Sequence, residues 1–90
     1  MSQHLARQIA LLREKILHVG ACVEKAISEA ITALIERDQK LAADVIANDE
    51  VIDQLEVDVE EECLKTLALY QPVANDLRMV VSVLKINNDL

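Results

Sequence analysis

Apolar residues recur at alternating steps of four and three along the first third of the chain: Leu5, Ile9, Leu12, Ile16, Val19, Val23, Ala26, Ala30 and Ala33. That rhythm lines one face of an α-helix and does not fit the two-residue period of a strand. Ile27, Ile31 and Leu34 are expected to widen the stripe. The ninety residues contain one glycine (Gly20), one proline (Pro72) and one aromatic side chain (Tyr70), so the chain is poor in material for strands and turns. An all-α fold follows.

The pattern divides into three helices. Ser2 is a plausible N-cap for the first, which is expected over about residues 3–37 and would be roughly 50 Å long at about 1.5 Å per residue. Gly20 in its middle costs about 1 kcal/mol against alanine, which predicts close backbone packing or a slight bend there. Asp38 offers the N-cap of a second helix over about 39–69, with Leu41, Val45, Ile52, Leu55, Val59, Cys63 and Leu67 on its buried side. Pro72 suits the first turn of a third helix over about 73–90, where its missing N–H costs nothing. Val73, Leu77, Val80 and Leu84 give that helix its stripe. Short connections make antiparallel neighbours, so residues 1–90 read as one partial domain, an antiparallel three-helix bundle with its third helix truncated. The third pattern reaches Leu90 with no glycine, proline or basic last turn to close it, as in a piece of a larger protein. A short third helix would leave apolar positions near the middle of the bundle uncovered, and self-association or helix swapping is expected.

Charge narrows the function. The net charge of −7 argues against a nucleic-acid binder, whose affinity comes mainly from lysine and arginine, and against an anionic membrane surface. No apolar run approaches the length of a membrane span, and the N-terminus lacks the regions of a signal peptide. Cys22 and Cys63 stand apart with no CxxC pair, so both read as buried thiols in a reducing cytoplasm. The acidity belongs to the second helix: residues 38–70 hold ten acids and two bases, whereas residues 1–37 hold four acids and five bases.

On that helix Asp49, Asp53, Glu56 and Glu60 stand at steps of four, three and four, with Cβ atoms about 5–6 Å apart on one face. Either a cation offsets their mutual repulsion, since carboxylates are hard ligands, or the row is a solvated face screened by water and salt. Other candidates are thinner. No Glu-x-x-His pair of a di-iron bundle, catalytic triad or glycine-rich phosphate loop is present, so nothing assembles an enzyme site. His4 and His18 read as surface or boundary residues. Arg78, two residues after Asp76, reads first as a solvated or paired arginine, and Tyr70 as packing against Pro72.

The runs Asp-Glu-Val-Ile-Asp at 49–53, Gln-Pro-Val-Ala-Asn-Asp-Leu-Arg at 71–78 and Leu-Lys-Ile-Asn-Asn-Asp-Leu at 84–90 resemble the first repeat of the PhoU family of phosphate-uptake regulators. The likeness covers nearly the whole chain, and the Gln-Pro segment is its most specific part. Family members carry two such three-helix repeats in about twice this length, so the chain corresponds to less than half of a family member. The resemblance implies a regulator and not an enzyme. The resemblance further implies that such a regulator acts in the bacterial cytoplasm, peripheral to the inner membrane through its partners, and links the ATPase subunit of a phosphate ABC transporter to a sensor histidine kinase. It also implies a divalent or iron-type metal held by acidic pairs on helices two and three of each repeat. The helix-two pair matches Asp49 and Asp53; its helix-three counterpart would fall just beyond Leu90, in a Glu-Arg-Ile-Gly-Asp continuation. Asp49 and Asp53 are thus a half site, and these ninety residues alone are expected to bind metal weakly or not at all. Asp76 and Arg78 are the candidate partner contact, and a homo-oligomer is expected. The alternative is a generic helical interaction or oligomerisation module with a solvated acidic face.

Overall fold

The computed structural model of the protein describes residues 3–90, in three helices: α1 (Gln3–Glu36), α2 (Gln39–Tyr70) and α3 (Ala74–Asp89). No strand occurs among the described residues. The proposed cap at Ser2 lies outside them. The all-α expectation holds, and the helix limits fall within about one residue of those read from the periodicity.

One tight turn folds α2 back along α1. Arg37 adopts the left-handed conformation at φ 54°, and the Asp38 N–H closes on the Ala33 carbonyl at 2.9 Å, the six-to-one bond that ends many helices. Asp38 then caps α2: its Oδ1 accepts from the Leu41 N–H at 3.0 Å. The two helices run antiparallel. Gln8 Nε2 donates to Glu62 Oε2 at 2.6 Å near one end, while Lys25 and Glu29 stand beside Asp44 and Asn48 towards the other.

The connection to α3 differs from the expectation. Pro72 is not in the first turn of α3 but two residues before it, buried in the connection, and Val73 in extended conformation is the N-cap. Gln71 and Ala74 take φ of 45° and 53°, so two non-glycine residues accept the left-handed region to reverse the chain.

The core lies where all three helices overlap. Leu12, Ile16 and Val19 of α1, Val59 and Cys63 of α2, and Val80 and Val83 of α3 form one buried cluster, edged by Ile9, Val23, Leu55, Leu67, Met79 and Leu84. The α3 stripe is therefore Val80, Val83 and Asn87; Val73 and Leu77 are exposed, because the first turn of α3 sits at the end of the bundle. Thr66 is fully buried too, its Oγ1 donating back to the Glu62 carbonyl at 2.7 Å, so the hydroxyl is satisfied within its own helix.

Beyond the core the molecule thins to two helices. With 16 residues against 34 in α1, α3 covers only half of the hairpin, and the whole measures 52 × 18 × 18 Å. Ile27, Ile31 and Leu34 do not widen the buried stripe: they are 57%, 53% and 80% exposed. Gly20 also departs from expectation. A Cβ there would meet nothing within 4 Å, so no close packing requires the glycine, and α1 continues through it without interruption. Cys63 is buried as expected, but Cys22 is only half-buried.

Candidate functional site

The Asp49, Asp53, Glu56 and Glu60 row runs along α2, whose Glu56 backbone meets α3. Asp49, Asp53 and Glu60 are exposed and Glu56 is half-buried. Asn87 of α3 donates its Nδ2 to the Glu56 backbone carbonyl at 2.8 Å, which fixes the register of the two helices. Asp53 and Asp49 lie one and two turns further along α2, level with and beyond the end of α3. Both ion pairs among the described residues, Lys15–Glu62 at 3.9 Å and Lys25–Glu29 at 3.8 Å, lie outside this row.

As a metal centre the row is incomplete. Two carboxylates one turn apart on a single helix fill at most part of the six or more oxygen positions that a hard cation needs. Among the described residues no group of three or more His, Cys, Asp or Glu side chains is placed to hold a metal ion. The residues present do not fit such a group by themselves.

The second candidate pair lies elsewhere. Asp76 is half-buried in the first turn of α3, and exposed Arg78 donates from Nη1 to Asn75 Oδ1 at 3.3 Å. Eleven residues of helix separate Asp76 from Asn87, roughly 16 Å at about 1.5 Å per residue. The structure thus keeps Asp76 and Arg78 at one end of the bundle and Asp49 and Asp53 towards the other, and does not gather them into one site.

Between α1 and α2, past the end of α3, lies an open apolar trough of about 660 Å³ lined by Ala30, Ala33, Leu34, Ala42, Val45 and Ile46. The Arg37–Asp38 turn closes it at one end. The trough and the acidic pair share the stretch of the hairpin that α3 does not reach.

Three features elsewhere in the bundle were not read from periodicity. Asn87 is 2% exposed, and its Oδ1 has no partner. Its signal was its step of seven from Val80 and three from Leu84, which places it on the buried face. Cys22 Sγ stands 3.7 Å from His18 Nε2, a pairing legible as a four-residue step on one helix. Burial, and then the nearby Glu62 and Glu60 carboxylates, push the Cys63 thiol pKa above its ordinary value.

Comparison with known proteins adds a family. The family model described as PhoU domain matches residues 16–90. A protein of Aquifex aeolicus named phosphate-specific transport system accessory protein PhoU homolog is 41% identical over 86 residues, which make up 96% of this chain and 39% of that protein. A Pseudomonas putida protein of the same name is 42% identical over 90 residues, all of this chain and 35% of the relative. The phosphate-specific transport system accessory protein PhoU of Escherichia coli K12 is 34% identical over 89 residues, 94% of this chain and 37% of that protein. The chain therefore spans well under half the length of each of these relatives. No solved structure matches it.

Proposed function

This chain belongs to the PhoU family, and we propose that it serves the regulation of phosphate uptake and of the phosphate-starvation response through contacts with other proteins. The family membership over residues 16–90 carries the reading. Its partners are the ATPase subunit of a phosphate ABC transporter and a sensor histidine kinase, met in the cytoplasm, and the role is regulatory and not catalytic. No described helix is long and apolar enough to cross a membrane, so membrane proximity comes through the partners.

Physically, a stiff bundle with few loops offers extended faces. Helix α2 with its Asp38 cap, ten acids and two bases over residues 38–70, steers towards a basic surface by long-range attraction that falls with added salt. Exposed Arg78, with Asp76, is a second contact at the other end. Binding of the full-length gene product to the transporter ATPase subunit and to the kinase, before and after Arg78→Glu, tests this assignment. Weakened binding with a derepressed starvation response supports it; signalling and binding both unchanged would remove Arg78 from the contact.

Asp49 and Asp53 form half of a carboxylate site that needs oxygens from beyond these ninety residues. Elemental analysis of the full-length product and of its Asp49→Ala/Asp53→Ala variant tests this, with loss of metal in the variant as the expected outcome. For the ninety residues alone we expect self-association, because Ile27, Ile31 and Leu34 together with Ile46 leave apolar surface open around the trough. A monomer by light scattering across micromolar concentrations would refute it.

A further inference from the structure

We propose that the half of the α1–α2 hairpin left bare by α3 is a self-recognition surface for a second copy of this chain. Two copies lay these halves side by side, the α1–α2 turn of each against the middle of the other, and close an antiparallel four-helix bundle over the apolar trough. The proposal rests on the self-association expected above and adds its site and arrangement.

Surface area sets how much there is to cover. The chain exposes 6471 Å², whereas a compact monomer of its 10.0 kDa would expose about 5,200 Å², which leaves a surplus of roughly 1,200 Å². A standard interface takes about 800 Å² from each partner, so the surplus is enough for one. Ile27, Ile31 and Leu34 of α1 and Ile46 of α2 are each more than half exposed beside the trough. Ala30, Ala33 and Ala42 line it, and such short side chains let another helix come close. A second hairpin brings the same apolar rows. Two-fold pairing then sets each patch against its own likeness over residues 24–37 of α1, an overlap of roughly 20 Å at about 1.5 Å per residue.

Charge selects the arrangement. Residues 24–53 hold eight acids and three bases, so two such halves repel unless bases are brought to acids. Arg37 and Lys40 sit at the turn, whereas Asp49, Glu50 and Asp53 lie towards the middle of α2. All five are exposed, and none of them is in an ion pair among the described residues. Turn against turn would place Arg37 and Lys40 on their own copies. Turn against middle places them beside the other copy's carboxylates, and the two-fold axis makes that contact twice.

Light scattering of the ninety-residue chain tests the site, and carbodiimide cross-linking, which joins an amine to a carboxylate, reads the arrangement. The expected particle at micromolar concentrations has twice the chain's 10.0 kDa. Ile31→Glu, at an exposed position where circular dichroism should find the helices intact, is expected to return it to monomer. Leu69→Glu, at an exposed apolar position towards the opposite end, should leave the dimer in place. In a mixture of isotope-labelled and unlabelled copies, carbodiimide should join Lys40 of one copy to Asp49, Glu50 or Asp53 of the other. A monomeric unsubstituted chain would overturn the self-association and this site together. An oligomer that survives Ile31→Glu, is lost in Leu69→Glu, or carries its links between copies elsewhere would overturn the site alone.

Discussion

Asn87 Nδ2 reaches across from α3 to the backbone carbonyl of Glu56 on α2 at 2.8 Å, at a position only 2% exposed. The bond couples the register of α3 to α2, yet it leaves the Asn87 Oδ1 buried and unpartnered. An unmet buried acceptor costs about 1–3 kcal/mol, comparable with the gain from the bond. Asn87→Leu, similar in size and fully apolar, is therefore expected to leave the melting temperature equal or higher. Asn87→Asp places a buried carboxylate against a carbonyl oxygen and should cost at least about 2 kcal/mol. Thermal denaturation of the two variants checks the pair; a stable Asn87→Asp would contradict the burial.

Gly20 is a position where the fold gains by substitution. It is mid-helix, and an added Cβ meets nothing within 4 Å, so Gly20→Ala should stabilise by about 1 kcal/mol through helix propensity alone. A loss of stability on chemical denaturation would mean that this face of α1 is covered.

The α1–α2 turn makes two opposed predictions. Arg37 holds φ at 54° where glycine is usual, so Arg37→Gly should relieve about 1 kcal/mol. Asp38→Ala removes the acceptor of the Leu41 N–H and should cost about 1 kcal/mol. Both are read from denaturant midpoints at constant slope.

Cys63 gives the fold an alkaline limit. Burial, then Glu62 and Glu60, raise its pKa above the model-compound value of 9.0, so the folded protein keeps the proton that the unfolded chain gives up. The stability it contributes is constant below that unfolded value and is lost as the pH rises through and beyond it. Cys63→Ala should lower stability at neutral pH, through the cavity it leaves, and flatten the decline that sets in as the pH rises past the ordinary thiol value of 9.0. An unchanged alkaline slope would place the titration elsewhere.

Periodicity made the core legible because a helix repeats its face every three or four residues whatever follows. Leu12, Ile16, Val19, Val59 and Cys63 lie where their spacing puts them. Asp38 was legible for a local reason, since its carboxylate meets an N–H three residues on. What failed depended on partners. Ile27, Ile31 and Leu34 carry the right spacing but face a place that α3 does not reach. Val73 and Leu77 carry it too, at the bundle's end. Pro72 fits a first turn in isolation, but the reversal at Gln71 and Ala74 moves the start of the helix past it. Of the candidate site, the placing of Asp49 and Asp53 one turn apart was readable from one helix, whereas no third His, Cys, Asp or Glu donor is placed with them among the described residues.

The central claim, that this bundle is a docking scaffold in phosphate regulation, is tested most directly by calorimetric titration of the full-length gene product into the transporter ATPase subunit and the cytoplasmic part of the sensor kinase. The account predicts binding to at least one of them that weakens as salt is added and when two exposed acids of α2, Glu50 and Glu60, are changed to lysine. Binding to neither, at low or high salt, would contradict it.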